Sequence, residues 1–311
     1  MKSKSKALVL FSGGLDSRLV IKLLSEQLGK ENIIALIFKL PFGSRYEKNL
    51  DESLEFCKKQ GIQAEIIDCT SGKLLKEYLK IIKDPLYGHG ACLNACIDCK
   101  IFIFKKAKEY AGKQKPKIQI IATGEVLGQR PMSQHRKALD IIEQEAGLQG
   151  RLLRPLSAKL LPETLAEKSS LIDRSRLFDI QGRGRKRQIE LAEKYQIDFP
   201  SPGGGCLLCE PEFCQKVKPL LEQEKIKEID IQLLKVGRHF QDSNIVLGKN
   251  ERENTELEKI KNKFNQGILL VPEQPGPTAF LKKKDKKLIE QAKELIKKYS
   301  KHEIKEIKEV D

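Results

Sequence analysis

The stretch that most constrains the fold lies at residues 6–40, where two apolar runs flank a turn and one amphipathic segment. KALVLF (6–11) leads into SGGLDS (12–17). SRLVIKLLSEQLGK (17–30) then carries apolar residues at helical spacing, and IIALIFKL (33–40) is a second apolar run. This order predicts strand, turn, helix, strand, with the two strands parallel. Further on, residues 49–60 predict a helix, QAEIIDC (63–69) a strand and KLLKEYLKII (73–82) a helix. IFIFKKAKEYA (101–111) predicts another helix and IQIIATG (118–124) a fourth strand. Strands alternating with helices predict an α/β fold with a doubly wound parallel sheet. Such sheets bind ligands beyond the carboxyl ends of their strands. SGGLDS and the ATGE of residues 122–125 both stand at such ends.

The rest of the chain is differently composed. RLLRPLSAKLLPET (151–164) is punctuated by proline, a helical stretch with RGRKRQIELAEKY (183–195) follows, and PSPGGGCLLCEPEFC (200–214) is rich in turns. Three parts are expected: 1–165 as the ligand-binding α/β domain, 166–227 as an extension completing its site, and 228–311 as a small α+β unit. That unit should carry strands around IDIQLL (229–234), SNIVLG (243–248) and GILLVP (267–272). From residue 282 the lysine-rich sequence predicts a charged amphipathic helix with Leu288, Ala292, Leu295 and Ile296 on one face.

With 58 Lys and Arg against 43 Asp and Glu, the 311-residue chain has a formal charge of +15, which favours a polyanionic partner. No apolar run approaches the roughly 20 residues needed to cross a bilayer. The basic start MKSKSK precedes five apolar residues, too few for a secretory leader. A cytoplasmic protein without a membrane partner is expected. Its eight cysteines then speak for metal binding or reactivity more than for disulfides. Cys57 and Cys69 read as small buried hydrophobes. Cys92, Cys96 and Cys99 form one cluster, and Cys206, Cys209 and Cys214 another.

The SGGLDS turn is built for an anion. Gly13 and Gly14 let backbone approach closely, Ser12 and Ser17 supply hydroxyls, and the next helix presents free N–H groups. Asp16 makes sense beside phosphates if Mg²⁺ bridges them. Cys96 and Cys99 sit at a helix start, and Gly203-Gly204-Gly205 brings Cys206 on a backbone able to come close to a ligand. Three thiolates would leave one iron of a 4Fe-4S cluster open to sulfide. A structural zinc site and a cysteine persulfide remain open alternatives. The spacing of Cys92, Cys96 and Cys99 is also similar to the cluster motif of radical SAM enzymes, although the alternating strand order speaks against that family. Arg183, Arg185, Lys186 and Arg187, with Arg174 and Arg176 nearby, form a basic stretch suited to RNA phosphates.

SGGLDS resembles the PP-loop of the N-type ATP pyrophosphatases, the adenine nucleotide alpha hydrolase-like enzymes. Thr123-Gly124-Glu125-Val126-Leu127-Gly128-Gln129 with Ser133-Gln134 is similar to the TGExLGQ…SQ segment of the tRNA 4-thiouridine sulfurtransferase. Leu93-Asn94-Ala95-Cys96-Ile97-Asp98-Cys99-Lys100 resembles the NPCxxC segment of the tRNA 2-thiouridylases, and Gly204-Gly205-Cys206 echoes their second cysteine. Val236-Gly237-Arg238, Leu247 to Asn254 and Gln274-Pro275-Gly276-Pro277 resemble the RNA-associated NFACT-R module. The chain lacks a recognisable THUMP-type module and a rhodanese-like sulfur carrier.

These resemblances imply an ATP-dependent tRNA sulfurtransferase. It would adenylate a uridine carbonyl and replace the oxygen with sulfur, 4-thiouridine being favoured over 2-thiouridine. Leu10, Phe11, Ser12, Gly13, Gly14, Asp16, Ser17, Ile37, Phe38, Lys105, Gly124 and Gln134 would bind ATP with Mg²⁺. Cys96, Cys99 and Cys206 would ligate a 4Fe-4S cluster, with Asp16, Asp98, Cys99 and Cys206 catalytic. The partners implied are tRNA and a sulfur donor such as a cysteine desulfurase or free sulfide. Two other classes stay open: a non-catalytic RNA-binding or quality-control factor on a PP-loop fold, and a PP-loop enzyme acting on a small molecule.

Overall fold

Side chains along the first strand, β1 (Lys6–Leu10), alternate between two apolar cores, as a strand buried on both faces requires. Ala7, Val9 and the following Phe11 enter one core, and Leu8 and Leu10 the other. The computed structural model describes residues 6–43, 48–115, 117–201, 206–241 and 243–310. The Gly203-Gly204-Gly205 turn lies outside the described residues. The chain packs as two units, residues 1–209 and 210–311.

In the first unit β1 is followed by α1 (Leu15–Leu28), β2 (Ile33–Lys39), α2 (Lys48–Gln60), β3 (Gln63–Asp68) and α3 (Gly72–Lys83). Then come α4 (Cys96–Lys113), β4 (Ile118–Thr123), α5 (Arg136–Glu145) and a two-residue β5 (Leu152–Leu153). Short helices α6 (Leu165–Lys168) and α7 (Lys186–Lys194) complete it. Among the described residues the strands form one parallel sheet in the order β3-β2-β1-β4-β5. Leu19, Val20, Leu23 and Leu24 of α1, Phe56 of α2 and Ala192 after α7's start cover one face. Ile97, Ile101 and Phe104 of α4 with Ala138 and Ile142 of α5 cover the other. The expected doubly wound α/β architecture is present.

Residues 166–199, read from sequence as part of a separate extension, contribute Ala166, Ile172, Leu177, Ile180, Ala192 and Ile197 to the same core as β1. The apolar spacing of that stretch is thus spent on the α/β unit.

The second unit runs α8 (Pro211–Leu221), α9 (Glu228–Leu234), β6 (Arg238–Phe240), β7 (Ile245–Leu247) and α10 (Glu251–Phe264). It ends with β8 (Ile268–Pro272), β9 (Ala279–Leu281), α11 (Lys286–Tyr299) and β10 (Ile307–Val310). Its antiparallel sheet has the order β10-β8-β9-β7-β6 among the described residues. Ala292 and Ile296 of α11 pack on one face, and Leu257 and Ile260 of α10 with Ile229 and Leu233 of α9 on the other. The expected small α+β unit is present, with two corrections. IDIQLL is helix α9, not a strand: Asp230 sits three residues into the helix and accepts from the Lys227 N–H at 2.9 Å, closing its first turn. The terminal helix stops at Tyr299, and residues 307–310 return as an edge strand against β8.

Candidate functional site

The winding of the first sheet reverses between β1 and β4, since β2 and β3 lie to one side and β4 and β5 to the other. A crevice opens at such a switch point beyond the strand ends. Leu10 and Thr123 are register partners, so the Ser12–Ser17 and Gly124–Gln129 segments leave the sheet side by side. Their approach is close enough to exclude a side chain. A Cβ on Gly124 would lie 2.7 Å from the Ser17 backbone nitrogen and 2.8 Å from the Asp16 carbonyl carbon. Gly13 has φ +75° and faces Ser53 with no space for a Cβ.

A cavity of about 390 Å³ occupies this crevice. Of the residues proposed from sequence to bind a nucleotide, Leu10, Phe11, Ser12, Gly14, Asp16, Ser17, Phe38, Gly124 and Gln134 line it. Three expectations need correction. Ile37 points into the core on the opposite face of β2, because alternation gives the cavity side to Leu36 and Phe38. Gly13 supports the loop from behind without lining the cavity. Lys105 is exposed on α4 away from the lining, and the cavity's lysine is Lys100.

The loop is fixed by a residue that sequence reasoning missed. Arg18 is buried, donates through Nε to the Gly13 carbonyl at 2.7 Å and through Nη1 to the Asp198 carbonyl at 2.5 Å, and stacks 4.5 Å over Phe56. Ser17 Oγ donates to the Gly14 carbonyl at 3.0 Å and stands 3.4 Å from Ser12 Oγ. Helix α1 begins at this loop with no side-chain cap, so its first N–H groups stay available to an anion.

Asp16 accepts from Gln129 Nε2 at 2.9 Å through Oδ2, while Oδ1 is buried without a hydrogen-bond partner within 3.5 Å among the described residues. Burial raises the pKa of this carboxyl, with the Gln129 hydrogen bond, Arg185, Arg130 and the nearby Gln188 side chain working against the rise. A divalent cation beside bound phosphates would take that free oxygen, so the site fits Mg²⁺. Buried Gln188 supports the arrangement, its Nε2 lying 3.4 Å from Gln129 Oε1. Gln129 was legible as the end of the TGEVLGQ segment; Gln188 carried no sequence signal.

Across the cavity, Lys100 bonds Glu125 at 2.5 Å, Arg154 bonds the other oxygen of Glu125 at 3.1 Å, and Arg154 bonds Glu143 at 2.7 Å. Burial alone would raise the Glu125 pKa, but Lys100 and Arg154 outweigh it and hold the carboxylate ionised. This chain of charges locks the TGE turn to α4 and α5.

The thiols gather at the start of α4. Cys96 donates to Ser133 Oγ at 3.0 Å, Cys99 Sγ lies 3.5 Å from the Tyr78 hydroxyl, and Cys206 donates to the Phe42 carbonyl at 3.7 Å. Asn94 donates to Cys209 Sγ at 3.0 Å, and the Leu93 N–H bonds the Leu208 carbonyl, tying the two cysteine segments together. Burial, with neighbouring thiols adding to it, pushes the Cys99 and Cys206 thiols up to about 12. An all-thiol donor set drawn from two distant segments fits an iron–sulfur or zinc centre in kind. As the side chains stand, no three His, Cys, Asp or Glu converge on one point among the described residues. The set meets the cavity through neighbours in sequence: Cys99 precedes Lys100, and Ser133 precedes Gln134, both cavity-lining. Asp98, expected to be catalytic, accepts from the Leu86 and Tyr87 N–H groups at 2.9 and 3.1 Å, so both oxygens hold the 85–88 turn against α4. His89 Nε2 bonds the Ile82 carbonyl at 2.8 Å and takes no part.

The basic stretch divides. Arg185 lines the cavity, Arg187 bonds Asp179 at 2.7 Å, and Arg183 and Lys186 are exposed. No helix among the described residues is long and apolar enough to cross a membrane.

The parallel sheet with this loop at its switch point is the PP-loop, adenine nucleotide alpha hydrolase-like fold. The NAD synthase family model matches residues 1–84, from β1 through α3. Among solved structures the chain is similar to the U34-tRNA thiolase NcsA from Methanococcus maripaludis with its 4Fe-4S cluster. The two are 20% identical, the alignment covers 74% of this chain and 71% of that one, and the TM-score is 0.39.

Proposed function

We propose that the chain is an ATP-dependent tRNA sulfurtransferase that forms 4-thiouridine in preference to 2-thiouridine. One observation carries the reading: a phosphate-type loop with an unpaired buried Asp16 oxygen shares its cavity with Lys100 and Gln134, whose chain neighbours belong to the thiol cluster.

The chemistry follows from what thiolation requires. A uracil carbonyl oxygen leaves poorly, so it attacks the α-phosphorus of ATP, pyrophosphate departs, and AMP becomes the leaving group. Ser12, Gly14, Ser17 and the N-terminus of α1 hold the phosphates, and Asp16 would hold a Mg²⁺ ion, which would supply charge neutralisation there. Leu10, Phe11, Leu36 and Phe38 offer an apolar wall to the adenine. Lys100, the lysine that lines this cavity, would offset negative charge developing on the phosphates, in place of Lys105. A 4Fe-4S cluster held by Cys96, Cys99 and Cys206 would supply an iron without a protein ligand, able to bind sulfide. Sulfide attacks the activated carbon, and AMP leaves with the electrons of the broken C–O bond. Arg183, Arg185 and Lys186 contact tRNA phosphate. The donor is free sulfide, or a cysteine desulfurase with a thiol reductant that releases its persulfide sulfur as sulfide, and the setting is cytoplasmic.

The test is AMP and pyrophosphate production with bulk tRNA at fixed salt, followed by nucleoside analysis of that tRNA. Turnover that needs tRNA and yields thiouridine is expected. AMP formation indifferent to tRNA would favour a small-molecule substrate, and none at all a non-catalytic RNA-binding role.

A further inference from the structure

Gln188 is fully buried on α7, a helix far in sequence from the phosphate loop and the TGE turn. With Ala192, one turn on, it makes the buried face of that helix, and Ala192 packs into the same core as β1. Packing alone does not call for an amide there. Met would fill nearly the same volume, whereas Gln188 Oε1 lies buried with no hydrogen-bond partner among the described residues. A buried polar atom left without a partner costs stability. The half of the amide that does have a partner is the nitrogen, 3.4 Å from Gln129 Oε1.

The order of donors along this chain of side chains follows from its far end. An ionised Asp16 offers only acceptors, so the end of Gln129 that meets Oδ2 at 2.9 Å is its NH₂ group. Gln129 Oε1 is thereby turned away from Asp16 and towards Gln188, where only a donor can meet it. Gln129 also lines the cavity, so a bound ligand could compete for its amide. Rotated by half a turn, that amide would set its oxygen against the Asp16 carboxylate. A second donor on the oxygen is what opposes both movements, and Gln188 brings one. Gln188 also stands close enough to Asp16 to help hold its pKa down.

We propose that Gln188 is a positioning residue for the cation end of the site: by holding the oxygen of Gln129 it keeps the Gln129 NH₂ on Asp16 Oδ2 and reserves Oδ1 for a divalent cation. The inference rests on the reading of Asp16 as the cation's ligand. It makes that ligand depend on α7, the helix whose N-cap, Arg185, lines the cavity.

The test requires neither tRNA nor turnover. Mn²⁺, which shares the oxygen-ligand preference of Mg²⁺, is titrated into the full chain with saturating α,β-methylene ATP, and free Mn²⁺ is read by electron paramagnetic resonance. Gln188→Met, which nearly conserves volume, should weaken Mn²⁺ binding about five-fold, the loss of one hydrogen bond. Nucleotide affinity in EDTA should be unchanged, and the Tm of the ligand-free chain equal or higher. Gln129→Met should weaken Mn²⁺ binding at least as much. The double variant should be no weaker than Gln129→Met alone, because Gln188 acts through Gln129. Gln188→Leu repeats the measurement should Met not fit. Unchanged Mn²⁺ affinity in Gln188→Met, or losses that add in the double variant, would overturn the proposal. So would a lowered Tm with an equal loss of metal-free nucleotide binding, the mark of a packing role alone. If the unaltered chain binds the nucleotide without taking up Mn²⁺, the reading of Asp16 itself fails, and this inference with it.

Discussion

Asp16 is held in a state that costs stability. Its Oδ1 is buried and unpaired, and burial raises its pKa, so the ionised form is disfavoured in the folded chain. For an acid whose folded pKa lies above the unfolded value, stability falls as pH rises through that interval. Asp16→Asn should therefore stabilise the ligand-free protein at neutral pH by on the order of 1 kcal/mol, or about 2–4 °C in Tm. The same change should abolish pyrophosphate release. A lower Tm in a calorimetric scan, or full turnover, would remove Asp16 from the metal side of the site. The SGGLDS motif made Asp16 legible in the sequence. Arg18, its structural counterpart one residue past the motif, was not, because its partners are the Gly13 and Asp198 carbonyls and backbone acceptors leave no mark on composition.

At the scale of elements, α4 sets Cys99 beside Tyr78 and its neighbour Lys100 on the cavity wall. Cys96, Cys99 and Cys206 should behave as one unit: each single change to Ala loses bound iron and thiolation together while ATP binding survives. Cys92, Cys209 and Cys214 should tolerate Ala. A colourless, zinc-bearing protein after anaerobic preparation and cluster reconstitution would contradict this. The Lys100–Glu125–Arg154–Glu143 chain makes a separate claim. Arg154 is 4% exposed, so Arg154→Met leaves Glu125 and Glu143 under-compensated and should cost about 3–5 kcal/mol in a urea titration. Strands β1, β2 and β4 were readable because each is a near-continuous apolar run. Helix α9 was misread because five of its seven residues are buried, which erases helical periodicity and leaves the alternation of Ile229, Asp230 and Ile231 as the stronger pattern. Strand β10 was hidden in a lysine-rich tail. Only one face of that edge strand meets the protein, and Ile307 is its single partly buried apolar residue against the core.

For the molecule as a whole, a charge of +15 is spread over two units that need not respond alike to pH. In the second unit His239 bonds the Val236 carbonyl and Ser243 Oγ, each at 3.0 Å. Burial, with Lys216 and Lys282 nearby, lowers its pKa to about 3 from 6.5. A histidine held neutral in the folded state binds fewer protons than the unfolded chain between those values. Its contribution is therefore complete above pH 6.5 and is lost as pH falls towards 3. Unfolding of the second unit, followed by hydrogen exchange, should show stability declining below pH 6.5, and His239→Gln should flatten that decline. An unchanged slope would place the acid sensitivity elsewhere. Sequence gave His239 no distinction, since its neutrality comes from burial in a fold, and neither spacing nor motif encodes that.

Ser133 and Gln134 are consecutive, yet one receives the Cys96 thiol and the other lines the cavity with a buried, unpartnered Oε1. A single peptide bond is then a lever with its two arms in different chemical compartments. Whatever fills the cavity beside Gln134 therefore stands one residue away from the acceptor of the Cys96 thiol.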